Sequence, residues 1–236
     1  MMGVVESDTS DSANAWLRDF RAQVMTSRPL DSGDVRDDSD HLFAATRVVE
    51  ALVNAMEAKS PYLRGHSHRV AAMAAALAAE MELPDEEVEA VRLAGQLHDV
   101  GKIGVRESVL DKPGQLTAEE FAHVQKHVAI GLSILEPLPE LGQIRDYIAH
   151  HHERIDGSGY PGRLSGNAVS LGGRILGAAD VLDACTSPRA YRDAMSLEDA
   201  LGWLRSAGPR GICPTVLPAL ERIARKGQIL VFISEL

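Results

Sequence analysis

The sequence predicts an all-α protein. Apolar residues recur at spacings of three and four along most of the chain, no segment alternates with period two, and no internal repeat is visible. About seven or eight helices would form one domain over residues 41–226, between an acidic tail or linker (1–40) and a short C-terminal tail (227–236).

Taken in order, residues 13–25 suit a short helix within an otherwise disordered tail. The Asp- and Ser-rich run 31–40 reads as a solvated linker. From His41 the chain turns helical. Val49, Leu52, Val53 and Met56 share one stripe, as do Val70, Met73, Leu77 and Met81. The first stripe suits packing on the chain's own core or pairing of two copies in a homodimer. Asp85, Glu86 and Glu87 behind Pro84 put acids in a first helical turn, where the macrodipole favours them, and Val88, Val91 and Leu97 follow. Thr117 and Glu120 make a capping box. Residues 144–152 form another helix, 153–172 a loop rich in Gly and Ser, and 174–184 a further helix. Ser196 and Asp199 open a helix over 200–206 in capping-box fashion, and 229–233 suit a short strand.

Composition narrows the function classes. Aromatics are 4% of the 236 residues, so the core must be aliphatic. A net charge of −10 argues against binding the DNA backbone, which needs a basic field. No stretch approaches the roughly 18 apolar residues of a membrane span, and the N-terminus has neither the basic nor the apolar part of a signal peptide. Cys185 and Cys213 are too few for a disulfide framework, so a reducing, cytoplasmic setting is expected.

Histidine and aspartate cluster at His66, at His98-Asp99, at His127, at His150-His151-His152 and at Asp180 with Asp183. Imidazole and carboxylate are ligands for divalent ions. His98 and Asp99 can turn into one cavity only if a helix ends there, and Gly101 and Gly104 follow at once. A carboxylate such as Asp99 has lone pairs enough to bridge two metals, and a metal pair suits in-line displacement at phosphorus. His41, His68 and His123 read as ordinary core or surface residues.

The strings EAKSPYLRGHSHRV, LHDVGKIGV, KHVAIG, HHERIDGSGYPGRLSG and RILGAADVLDACTSPRAYR resemble the HD-GYP family, a branch of the HD phosphohydrolases that act as cyclic di-GMP phosphodiesterases. The resemblance implies an HD-domain helical bundle. It implies two divalent ions, iron or manganese, held by His66, His98, Asp99, His127, His151, His152 and Asp180, with Asp99 bridging and His150 left over. It makes Asp99, Lys102 and Glu153 catalytic. Lys102 would face the scissile phosphate, and Glu153 would orient a ligand histidine or the attacking water. Tyr160, Arg189 and Arg192 would contact the dinucleotide together with Lys102, and Asp183 would hydrogen-bond to a ligand or an Arg.

Some positions depart from the family pattern. Ser60 and Leu63 stand where Asp and Thr are common. Tyr62 stands where some members carry a Glu that supports a third metal, which favours a two-metal site with Glu57 as a nearby helix residue. Ile212-Cys213-Pro214 replaces Phe-Asp-Pro. The expected function is hydrolysis of cyclic di-GMP to pGpG or GMP in second-messenger signalling. Two alternatives are a phosphohydrolase for another cyclic dinucleotide and a non-catalytic cyclic di-GMP sensor. A cyclase-type partner could dock on the Gly-Tyr-Pro loop.

Overall fold

The computed structural model describes residues 38–188 and 192–229, whose regular elements are all helical. From Phe43 onward the described residues form one compact unit. The helices are α1 (Asp38–Glu57), α2 (His66–Glu80), α3 (Asp85–Leu97), α4 (Glu107–Leu110), α5 (Ala118–Leu135), α6 (Gly142–His150), α7 (Leu171–Thr186), α8 (Leu197–Ala207) and α9 (Leu217–Arg225). Short 3₁₀ turns join several of them, including Pro61–Leu63 before α2 and Val100–Gly104 after α3. The predicted helix over 13–25 and most of the acidic run lie outside the described residues. So does the predicted strand, apart from Ile229, which is helical and buried.

Local signals explain most boundaries. Thr117 closes a full capping box with Glu120 at the start of α5. Ser196 caps α8 differently from the reciprocal box expected. Its hydroxyl accepts from the Asp199 amide and bonds the Asp199 carboxylate, so no side chain returns to the Ser196 amide. Ser170 caps α7 by accepting from the Gly173 amide, which starts that helix at Leu171 rather than at Arg174. The four-residue α4 has too little apolar periodicity to be read from sequence.

The core is aliphatic, as the composition requires. Met73, Leu77, Leu97, Ile148, Leu176, Leu182 and Leu220 are fully buried, each contributing about 1.5–3 kcal/mol by burial. Helix α2 lies along both α3 and α7, α6 packs on α3 and α7, and the Val100–Gly104 turn lies against α5. In α1, Val49, Val53 and Met56 are buried, and Val49 and Val53 join the chain's own core. No described helix is long and apolar enough to cross a membrane.

Two close approaches draw the helices together around one point. A methyl at Gly101 would lie 1.9 Å from the His127 carbonyl oxygen, and one at Gly177 would lie 2.4 Å from that of His151. Gly101 therefore serves less as the helix stop expected from sequence than as the place where the turn touches α5.

Candidate metal centre

Each histidine of the cluster is carried by a helix end or an inward helix face. His66 is the first residue of α2, behind Gly65, whose φ of 70° favours glycine. Glu57, at the end of α1, fixes this entry, because its carboxylate accepts from the Gly65 and Ser67 amides. It thereby does the work of the missing N-cap side chain of α2. His98 and Asp99 follow the last residue of α3, where the chain changes to the 3₁₀ turn. His127 faces inward from α5, His151 and His152 follow the end of α6, and Asp180 and Asp183 lie one turn apart on α7.

These side chains meet. His66 Nε2 is 3.3 Å from Asp99 Oδ2 and 3.4 Å from Asp180 Oδ1. His98 Nε2 is 3.4 Å and 3.8 Å from the same two oxygens. Asp99 Oδ1 lies 3.6 Å from His127 Nε2. His127, His151 and His152 form a second group with ligand atoms within 4.8 Å of one another. Two donors sharing an ion bonded at about 2.0–2.2 Å stand about 3–4 Å apart, so the spacing suits shared cations.

Tautomer and burial support the same fit. The outer nitrogens of three rings are each occupied by a backbone carbonyl: His98 Nδ1 donates to Gly95, His127 Nδ1 to Val124 and His151 Nδ1 to Ile148. His66 Nδ1 donates instead to Asp183 Oδ2 at 2.7 Å. In the neutral form of all four rings, a proton on Nδ1 leaves the Nε2 lone pair pointing inward. All four Nε2 atoms, and Asp99 Oδ1, are buried without a hydrogen-bond partner. Orphaned acceptors of this kind are costly unless a cation satisfies them. The donor set therefore fits divalent ions.

Electrostatics separates two sides. Burial disfavours the His66 imidazolium, but hydrogen bonds to Asp180, Asp183 and Asp99 outweigh it and raise its pKa to about 10. Three carboxylates on one ring call for positive charge there. Burial pulls His151 down to about 3, helped by the nearby His98 and His127 rings, and also lowers His127 and His152. Burial thus favours the neutral form of those three rings. Burial would raise Asp99 and Asp180, but the facing imidazoles, with Lys102 beside Asp99, hold both well below the carboxylate range.

The remaining sequence candidates are placed less uniformly. Lys102 Nζ donates to Asp99 Oδ2 at 2.5 Å, from a side chain 14% exposed at the edge of the centre. Tyr160 stacks on His152, with ring centroids 4.6 Å apart, and burial raises its phenol pKa. Asp183 also accepts from Arg69, one turn after His66 on α2, which puts a residue number on the Arg partner expected for it. His150 points elsewhere, its Nδ1 bonded to Ser170. His123 Nε2 accepts from the Arg106 amide.

Two further candidates are engaged by backbone groups, the first of them Glu153. Its two carboxylate oxygens accept from the Gly162 and Leu164 amides, so it clamps the 157–163 loop from beneath. The second is Arg192, whose guanidinium donates to the carbonyls of Ala184, Cys185 and Asp193 at the end of α7. Arg189 lies outside the described residues.

Comparison with known proteins agrees with this geometry. A family model described as "HD domain" matches residues 50–212. The chain is 38% identical over 175 residues to 3'3'-cGAMP-specific phosphodiesterase 3 of Vibrio cholerae serotype O1, covering 74% of this chain and 38% of the relative. It is 31% identical over 217 residues to the cyclic di-GMP phosphodiesterase of Thermotoga maritima, covering 90% of this chain and 58% of that one. The chain thus spans less than two thirds of the length of these curated relatives. The solved structure of Bd1817, a HDG"Y"P protein from Bdellovibrio bacteriovorus, aligns with a TM-score of 0.60 at 16% identity over 93% of this chain and 81% of that chain, a likeness of fold.

Proposed function

The chain belongs to the HD domain family, and from that premise we propose that it is a metal-dependent phosphodiesterase hydrolysing cyclic di-GMP to pGpG, GMP or both. The observation that carries this reading is the convergence of four buried, unpartnered imidazole Nε2 atoms on the Asp99 and Asp180 carboxylates. His66, His98 and Asp180 would hold one divalent ion and His127, His151 and His152 another, with Asp99 offering one oxygen to each side. Iron or manganese suits this mixture of imidazole and carboxylate. When bound, such ions supply Lewis acidity to a phosphate oxygen and lower the pKa of water.

The chain's own residues do the rest. Asp183 keeps the His66 proton on Nδ1 and so keeps Nε2 available. Lys102, at the edge of the centre, presents an ammonium to a phosphate oxygen or to the departing ribose oxygen. Tyr160 walls the His152 side, and Glu153 holds the loop that carries Tyr160. Arg192 would have to leave its carbonyls to reach a ligand, and we keep Arg189 as a dinucleotide contact. A cytoplasmic location follows from an intracellular second messenger as substrate. The homodimer and the cyclase-type partner on the Gly-Tyr-Pro loop are kept as part of this proposal.

A second substrate, 3'3'-cGAMP, is favoured by the 38% identity to a phosphodiesterase named for it. The test is ion-pair chromatography of the anaerobically purified, iron- or manganese-loaded protein incubated with each dinucleotide in turn. Conversion of cyclic di-GMP that is lost in Asp99→Ala supports the first reading, and conversion of 3'3'-cGAMP alone supports the second. Tight binding of cyclic di-GMP with no product would make the pocket a sensor.

A further inference from the structure

A groove of about 570 Å³ runs between α5 and the 157–163 loop, outside the metal centre. Its volume falls in the range of small-molecule sites. Gln125 and Lys126 line one wall, and Ser158, Tyr160 and Arg163 line the other. Tyr160 belongs to both places: it borders this groove and stacks on His152 of the metal cluster.

The charge of the groove runs against that of the chain. Acidic residues outnumber basic ones by 34 to 24 over the whole sequence, yet the lining holds Lys126 and Arg163 and no carboxylate. Elsewhere basic side chains are commonly committed: Lys112 to Glu120, Arg205 to Glu221, Arg222 and Lys226 to Glu80, Arg69 to Asp183. Neither Lys126 nor Arg163 has an ion pair among the described residues. Arg163 is also held in an uncommon backbone state, with φ of 52°. The Glu153 carboxylate fixes it there by accepting from the amides on either side, Gly162 and Leu164. A buried carboxylate thus holds an unpaired cation at the groove in a backbone conformation that a free loop would seldom adopt.

We propose that this groove is a nucleotide subsite. It takes the phosphate of the half of a cyclic dinucleotide that is not being cleaved, with Lys126 and Arg163 on the phosphate oxygens and the Gln125 amide and the Tyr160 ring beside the nucleoside. The proposal rests on the phosphodiesterase reading of the metal centre. Two cations across a groove match a phosphodiester anion, and Arg offers it a two-pronged donor. Bis(p-nitrophenyl) phosphate has a single phosphate and so lacks the second one that these cations would hold.

The test is the double variant Lys126→Gln/Arg163→Gly. Glycine accepts the φ of position 163 without strain, and position 126 is an exposed helix site, so the fold is expected to persist. Metal-loaded protein is assayed with cyclic di-GMP and with bis(p-nitrophenyl) phosphate, and cyclic di-GMP binding is measured directly by equilibrium dialysis. The subsite predicts that the ratio of kcat/KM for cyclic di-GMP to that for the aryl phosphate falls about tenfold, through KM, with dialysis affinity falling in parallel. An unchanged ratio and an unchanged affinity would overturn it. If the wild type binds cyclic di-GMP but hydrolyses neither compound, the phosphodiesterase reading fails, and dialysis of wild type against variant still decides the groove. If the wild type binds no cyclic di-GMP, the subsite falls as well.

Discussion

Replacing Asp183 by Asn should damage the His66 side of the centre far more than the change of one atom suggests. Asp183 Oδ2 accepts from His66 Nδ1 at 2.7 Å and from Arg69 Nη2 at 3.2 Å, while Oδ1 accepts from Arg69 Nε. Asparagine has a single oxygen. If that oxygen stays with Arg69 Nε, the new amide NH₂ faces His66 Nδ1. The ring can accept from it only by moving its proton to Nε2, which is the wrong tautomer for holding a cation. If the oxygen stays with His66, the NH₂ faces the guanidinium. Arg69 then loses its buried counter-charge, with its side chain 12% exposed and that of Asp183 0%. Breaking a buried pair of this kind costs about 3–5 kcal/mol, and loss of the group orienting a ligand histidine lowers metal affinity about 10–100-fold. Thermal or urea unfolding of the metal-free protein reads the first quantity, and chelator competition with manganese reads the second. A variant with wild-type metal affinity would refute the argument that Asp183 sets the His66 tautomer.

Three further outcomes are expected. Gly101→Ala would push the His127 carbonyl back by about 1.4 Å to reach an ordinary carbon–oxygen contact. That predicts a loss of about 1–3 kcal/mol in urea unfolding together with weaker metal uptake, whereas full stability would contradict the close approach of the turn to α5. Glu153→Ala removes both acceptors beneath the 157–163 loop, so hydrogen exchange at the Gly162 and Leu164 amides should accelerate while bound metal, measured by elemental analysis, is retained; unaltered exchange would argue against the clamp. Lys226 and Arg222 hold the Glu80 carboxyl below its usual 4.5. A depressed carboxyl stabilises the fold above its unfolded pKa and loses that contribution as pH falls through the folded one. Glu80→Gln should therefore be less stable than wild type at neutral pH, converge with it in acid, and differ less in high salt. A constant offset across the pH range would refute this.

The metal-centre candidates could be read from sequence because each lies on, or just after, a helix that the periodicity and caps announce. Asp180 and Asp183 are one turn apart on α7, so their shared face was visible in the spacing, and the structure places them on opposite sides of the His66 ring. The loop contacts of Glu153 were not legible, although it is adjacent to two candidate ligands. The chain turns after α6, and its carboxylate meets amides 9 and 11 residues further on, which no local pattern reveals. The same holds for Arg192, which folds back on carbonyls 7 and 8 residues before it. Glu57 bonds amides across the 3₁₀ turn, 8 and 10 residues away. Gly101 was identified, but its reason was not, because contact with His127 on α5 is tertiary.

Seven side chains, His66, His98, Asp99, His127, His151, His152 and Asp180, are expected to form one two-ion centre. Anomalous scattering from crystals of the manganese-loaded protein tests this most directly. The expected result is two peaks, one bounded by His66, His98 and Asp180 and one by His127, His151 and His152, with Asp99 between them. A single peak at the surface near His150, or none within the cluster at full loading, would contradict it.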